Sequence, residues 1–161
     1  MNIIEWALME DDILNVGGFE EVEIEVTLDS GAVDHVCNIE CLPGYKVVAG
    51  ERTRDFVGAN GDLIKHHGEV TAKLEATDTR CGLDSTFQIA DVSRCLYSVS
   101  RITRNGGKVE FKGDEARVYM DGKLITTFKE RHGLYIGSMT LKSPIHGDAR
   151  PSGFPRQGAK A

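Results

Sequence analysis

The chain lacks several things that would settle its class at once. No run reaches the roughly 18 apolar residues of a membrane span, and Glu5, Glu10, Asp11 and Asp12 break the N-terminal segment, so neither a transmembrane helix nor a secretory signal is expected. Cysteine is scarce: Cys37, Cys41, Cys81 and Cys95 are the full set, without the paired Cys-x-x-Cys spacing of a metal or redox motif and too sparse for a disulfide scaffold. A reducing, cytoplasmic setting follows as the expectation. A basic excess is also missing. With 19 Lys and Arg against 25 Asp and Glu the net charge is −6, so counterion release would not drive binding to duplex nucleic acid. Helix-promoting runs are few while glycine, at 18 residues, is frequent, which favours short strands joined by turns over a bundle. What is present, 161 residues of which 40% are apolar and 27% charged, suits one globular domain with tails.

Along the chain, residues 1–19 mix apolar side chains such as Trp6 with acids and suit a short helix or an added edge strand equally. Trp6 is expected to pack on the core. From Glu21 the pattern is unambiguous: Val22, Ile24, Val26 and Leu28 alternate with Glu21, Glu23, Glu25 and Thr27, a period of two that predicts a strand. It runs into Asp29-Ser30-Gly31-Ala32, a turn-permitting stretch. Arg54 to Lys65 reads as a hairpin with a type I′ turn at Asn60-Gly61. Glu69–Glu75 and Thr86–Val92 are further strand candidates. Leu96, Val99 and Ile102 recur every three residues and predict a short helix over Arg94–Ile102, ended by Asn105-Gly106-Gly107. Lys108–Phe111, Ala116–Met120 and Leu124–Phe128 predict strands turning at Gly113 and Asp121-Gly122. Residues 142–161, rich in Pro, Gly and basic side chains, predict a disordered tail, leaving a domain over 20–141. The tail's Lys142, Arg150, Arg156 and Lys160 read as solvated rather than as a nucleic-acid patch.

Asp29-Ser30-Gly31-Ala32 after an apolar strand resembles the Asp-Thr/Ser-Gly-Ala signature of aspartic proteases. The resemblance extends to the retropepsin-like proteases, most closely those of copia-type retrotransposon polyproteins. Leu28 to Cys37 resembles their active-site strand and turn, and Val57-Gly58-Ala59-Asn60-Gly61 their flap hairpin. Leu96 to Ile102 resembles the apolar pair, small residue and helix that follow, with Ser98 where retroviral members have glycine and Tyr97 at the second apolar position. Gly106–Phe111 and Gly133-Leu134-Tyr135-Ile136 resemble the closing segments, so the likeness spans about residues 21–136 in family order. It implies a mainly-β retropepsin-like closed barrel with a flap hairpin and one short helix.

Peptide hydrolysis of this type needs two carboxylates close enough to share a proton, one acting as base toward a water and the other as acid toward the carbonyl oxygen. The sequence holds no second Asp-Ser/Thr-Gly, since Asp84-Ser85-Thr86 and Asp121-Gly122 do not fit. The pair would therefore come from two chains across a two-fold axis, which makes homodimerisation part of the enzyme reading. The resemblance implies that Asp29 is catalytic, that Ser30 bonds across the dimer base, and that Gly31 permits close approach of the loops. It further implies that Ala32, Asp34, Ala59, Asn60 and Gly61 meet an extended peptide, the natural substrate being the parent polyprotein. No metal or organic cofactor is expected. His35, Cys37 and Cys41, with Cys81 or Cys95, match no zinc spacing in His-x-Cys-x3-Cys form and read as packed side chains; His66-His67 reads as a solvated pair. A catalytically silent β-domain used for dimerisation or peptide binding is the alternative, because fold does not establish function.

Overall fold

The computed structural model describes residues 18–50 and 55–144; the expectations for Trp6, for Arg54 and for the tail beyond Pro144 lie outside them. Among the described residues the fold is mainly β with one short α-helix. Strands run in the order β1 (Phe19–Asp29), β2 (Val36–Cys37), β3 (Phe56–Val57), β4 (Leu63–Ile64), β5 (His66–Ala76), β6 (Gly82–Ala90) and β7 (Leu96–Ser98). Helix α1 (Val99–Arg104) follows, then β8 (Lys108–Lys112), β9 (Glu115–Met120), β10 (Lys123–Arg131) and β11 (Leu134–Pro144). Neighbours β1, β7, β2, β6, β5 and β11 close on themselves because β11 also pairs with β1, and β10, β9 and β8 extend the sheet from β11. The ring leaves none of its members with a wholly unpaired edge, which removes a template for aggregation.

The alternation in β1 has the expected outcome. Val26 and Leu28 are buried and Val22 and Ile24 pack against the same core, while Glu21, Glu23 and Glu25 face out to Lys142, Ser138 and Arg131 across the sheet. β1 and β11 pair antiparallel from Phe19↔Pro144 to Leu28↔Tyr135, so the basic tail begins later than expected: Lys142 and Ser143 are strand residues. Phe87, Phe128, Leu74, Leu83, Met139 and Leu141 fill the interior, each worth about 2 kcal/mol of transfer free energy. The segments from Lys108 onward form a meander. Asp121 and Gly122, with φ of 52° and 76°, join Met120 to Lys123, the geometry of a type I′ turn.

Two local expectations need correction. The helix begins only at Val99, since Leu96–Ser98 extends as β7 beside β1, pairing Thr27↔Leu96 and Asp29↔Ser98. The three-residue spacing of Leu96 was coincidental: its place is fixed by a ladder with β1, a non-local contact that periodicity does not register. Ser98 then serves as N-cap, its Oγ accepting the Arg101 N–H at 3.1 Å, and Gly106 at φ 94° ends the helix.

The hairpin is present, with β3 and β4 pairing Phe56↔Ile64 and Val57↔Leu63, but the turn is not type I′. The register leaves Ala59, Asn60 and Gly61 in the loop, Gly61 N–H donates to Gly58 O at 2.9 Å and Gly58 N–H to Asp62 O at 2.8 Å. Only Gly61 has positive φ, 89°. This is the type I turn plus left-handed residue of a three-residue loop. Asn60 instead uses its amide to hold Asp62, donating to Oδ2 at 2.9 Å and accepting from its N–H at 3.1 Å. A β-branched residue tolerates the Gly61 conformation poorly, so Gly61→Val is expected to erase amide-exchange protection at Phe56–Ile64. Because β3 and β4 form a separate sheet, Tm should move by no more than about 3 °C, within the effect of a kcal/mol or less on a domain of this size. A Tm drop larger than this, with the hairpin still protected, would contradict the assignment.

Candidate functional site

β1 ends at Asp29, and the chain turns at once. Asp29 Oδ1 accepts the Gly31 N–H at 2.7 Å, an Asx-type turn that fixes the carboxylate's orientation. A Cβ on residue 31 would sit 3.4 Å from that oxygen, so the turn's tightness rests more on backbone than on an absolute need for glycine. Ser30 and Gly31 are exposed and Asp29 is half-buried.

The rest of the loop is clamped from behind by β7 and α1. Ala32 O accepts the Ser98 hydroxyl at 2.7 Å and the Ser100 hydroxyl at 3.4 Å; Val33 O accepts from Arg104 at 3.3 Å. Asp34 is buried and takes the Arg101 guanidinium at 2.5 Å on Oδ1, which also accepts the His35 N–H at 2.9 Å. Asp34, expected at the substrate, is thus a loop anchor facing away from solvent, and Ala32 contributes its carbonyl to the same clamp. Removing one partner of a buried pair leaves the other charge uncompensated, a cost of about 3 kcal/mol. Arg101→Met is therefore expected to lower urea stability by about that much, and Asp34→Asn combined with Arg101→Met by less than the sum of the single changes. Strict additivity would mean that the two side chains do not depend on each other.

His35 completes the clamp. It is fully buried, its Nδ1 accepts the Ser98 N–H at 2.9 Å, and its ring meets Tyr97 edge-on at 5.1 Å. Burial, and then the charges of Arg101 and Arg104, depress its pKa from 6.5 to about 3, so it is neutral at ordinary pH with the proton on Nε2. Tyr97 is accommodated by stacking on Phe87 at 5.5 Å and by a 2.8 Å hydrogen bond between its hydroxyl and Ser85 Oγ; burial pushes its phenol well above the usual range. Serine at position 98 has a local reason: its hydroxyl caps α1 and holds Ala32 at once, which glycine would not do.

In front of the loop lies an open cleft of about 770 Å³. Asp29 and Ser30 lie on its wall with Leu28 and Leu96; Ala59 and Ile64 of the hairpin, the segment 91–94, Phe111 and Leu134–Tyr135 form the remaining sides. The volume falls in the ordinary range of ligand sites. The structure therefore brings Asp29, Ser30 and the hairpin's Ala59 to one space, with Asn60 and Gly61 at the exposed tip and Ala32 and Asp34 behind. Periodicity and motif spacing did not single out the apolar wall of Phe111 and Tyr135, whose rings meet at 5.1 Å; they come from distant strands, and only the meander carries them to the cleft. Nor did they point to Asp91, held by His67 at 2.9 Å, or to Arg94.

His66 is half-buried, its Nε2 bonding to Gln88 Oε1 at 2.8 Å and Gly68 O at 3.0 Å, so the two histidines are individually partnered rather than simply solvated. Among the described residues, no three His, Cys, Asp or Glu side chains converge to hold a metal ion, and no helix is long and apolar enough to cross a membrane. No family model, curated protein or solved structure is significantly similar to the chain.

Proposed function

We propose that the chain is one half of a retropepsin-like aspartic endopeptidase, active as a homodimer in which the Asp29 carboxylates of two copies activate a water between them. The observation that carries this reading is the shared cleft: Asp29 and Ser30 of the single Asp-Ser-Gly-Ala turn and Ala59 and Ile64 of the hairpin, far apart in sequence, line one space of about 770 Å³. Three further features support it. Asp29 is oriented by Gly31 N–H yet keeps an oxygen free of that bond. Ser30 is exposed beside it, available to a second copy. The loop behind is braced by Ser98, Ser100, Arg101 and Arg104, the preorganisation that acid–base catalysis requires.

In this mechanism one Asp29 takes a proton from the water as the other donates one to the substrate carbonyl oxygen, and the resulting diol collapses with proton return to the leaving amine. Substrate lies as an added strand under the hairpin, its backbone bonding there and its side chains against Leu28, Leu96, Phe111 and Tyr135. The substrate class proposed is a polyprotein in extended conformation, processed inside the cell.

The test is a mixed peptide library incubated with the full chain from pH 4 to 7, cleavage being followed by mass spectrometry over a dilution series with sedimentation in parallel. Specific activity should fall as the dimer dissociates. Activity strictly proportional to chain where it is monomeric would overturn the shared-site mechanism, and absence of any cleavage alongside peptide binding would favour the silent binding domain.

A further inference from the structure

β2 and β7 run antiparallel with Val36 opposite Leu96, so the residue after Val36 lies across from the residue before Leu96. Those residues are Cys37 and Cys95. Directly opposed residues on such strands have Cα atoms about 4.5–5.5 Å apart, inside the roughly 4.4–6.8 Å span of disulfides, and their Cβ atoms emerge on one side of the sheet. The two thiols are free and buried in the core cluster, and the nearness of Cys37 together with burial raises the Cys95 thiol well above its ordinary range. Cys81 stands elsewhere, at the turn into β6, where its carbonyl accepts the Ala76 N–H at 2.9 Å.

The position of this pair matters more than its chemistry alone. β2 begins where the Asp29–His35 loop ends, and β7 delivers Ser98, whose backbone and hydroxyl hold His35 and Ala32. We propose that Cys37 and Cys95 are a reversible redox site, a dithiol that closes to a cross-strand disulfide and locks the loop that follows Asp29 to β7. A peroxide is the oxidant class. One sulfur attacks a peroxide oxygen and becomes a sulfenic acid as the alcohol or water leaves; the second sulfur then displaces that hydroxyl as water. Two electrons pass from the thiols to the peroxide, and two hydrogens leave the protein. Both thiols are buried, so the oxidant reaches them only through local opening, and closure is slow compared with that of surface thiols. The inference rests on strand register and is independent of the role given to Asp29.

The experiment treats the purified full chain with hydrogen peroxide and reads intact mass, free thiols and non-reduced peptide maps. Thiols should fall from four to two, with a dithiothreitol-reversible Cys37–Cys95 peptide pair. Cys37→Ala and Cys95→Ala should each abolish it, and Cys81→Ala should not. Amide exchange across 30–36 should slow about tenfold in the oxidised chain, as a covalent tie suppresses local opening. A Cys37–Cys41 crosslink, irreversible oxidation to sulfinic acid without crosslinking, or unchanged exchange in the crosslinked chain would each overturn the proposal. The wild-type peptide map decides the pairing even where an alanine variant folds poorly.

Discussion

Asp29→Asn is expected to lower peptide cleavage by on the order of 10⁴-fold, the scale seen when one member of a concerted catalytic group is removed, while leaving the fold and peptide binding in place. The separation of effects follows from geometry. The carboxylate's structural duty is to accept the Gly31 N–H at 2.7 Å, and an amide oxygen performs it as well. Its proposed chemical duty is to take and return a proton, which an amide does not do. Circular dichroism and Tm should therefore match wild type within about a kcal/mol of stability, and fluorescence-labelled peptides should still bind. Asp29→Ala removes both duties and should add a modest stability loss of about 1 kcal/mol to the same loss of activity. Mixed dimers of wild type and Asp29→Asn supply the sharper measurement: with one carboxylate left per site they should be as inactive as the variant alone. Cleavage by the pure asparagine variant at the wild-type rate would remove Asp29 from the mechanism.

What the amino-acid pattern exposes is local. Val22 to Leu28 reads as a strand because the apolar period and the acidic outer face coincide, and burial follows that parity until Thr27, which is buried as well. There β1 is flanked by β7 and β11, and sheet neighbours on both sides cover even a polar position. The hairpin at Asn60-Gly61 is legible as a hairpin, but its turn type depends on whether the flanking residues pair in even or odd register, set by the Phe56↔Ile64 contact rather than by the dipeptide. Leu96–Ser98 shows the same limit from the other side: three residues carry too little periodicity to distinguish helix from strand, and the parallel ladder with Thr27–Asp29 decides.

The candidate site divides along the same line. Asp29 and Ser30 are visible as a motif because their chemistry lies in adjacent residues, and the cleft contains them. Asp34 belongs to the same motif yet turns inward, because Arg101 of α1, remote in sequence, offers a guanidinium at 2.5 Å. The carboxylate that satisfies that charge anchors the loop and is lost to the cleft. The Phe111 and Tyr135 wall is invisible to spacing for the converse reason: each is an ordinary strand aromatic until the β8–β11 meander folds past the end of β1.

The clamp behind Asp29 also sets an acid limit, and His35 is the group that sets it. Its folded pKa of about 3 lies below the 6.5 of an accessible imidazole, chiefly because burial opposes the charged ring. Between those values the unfolded chain binds a proton that the folded chain does not, so stability rises with pH through this window and is lost as pH falls through it. Each pH unit is worth about 1.4 kcal/mol; the loss is about 2 kcal/mol at pH 5 and between about 4 and 5 kcal/mol once the folded ring protonates, a large share of the 5–15 kcal/mol typical of a domain. Protonation also has a local effect, since an imidazolium has no lone pair at Nδ1 to accept the Ser98 N–H now 2.9 Å away. The loop that orients Asp29 would lose its contact with β7 at the same step. Urea unfolding at pH 7 and pH 5 measures this directly. Wild type should lose about 2 kcal/mol more over that interval than His35→Asn, whose amide oxygen keeps an acceptor near the Nδ1 position without titrating. Equal losses in the two proteins would assign the acid sensitivity to other groups. The proposed peptidase mechanism, working between two carboxylates, would gain from acidity only while this histidine stays neutral, so any cleavage should collapse in wild type at the acid edge where folded His35→Asn continues to turn over.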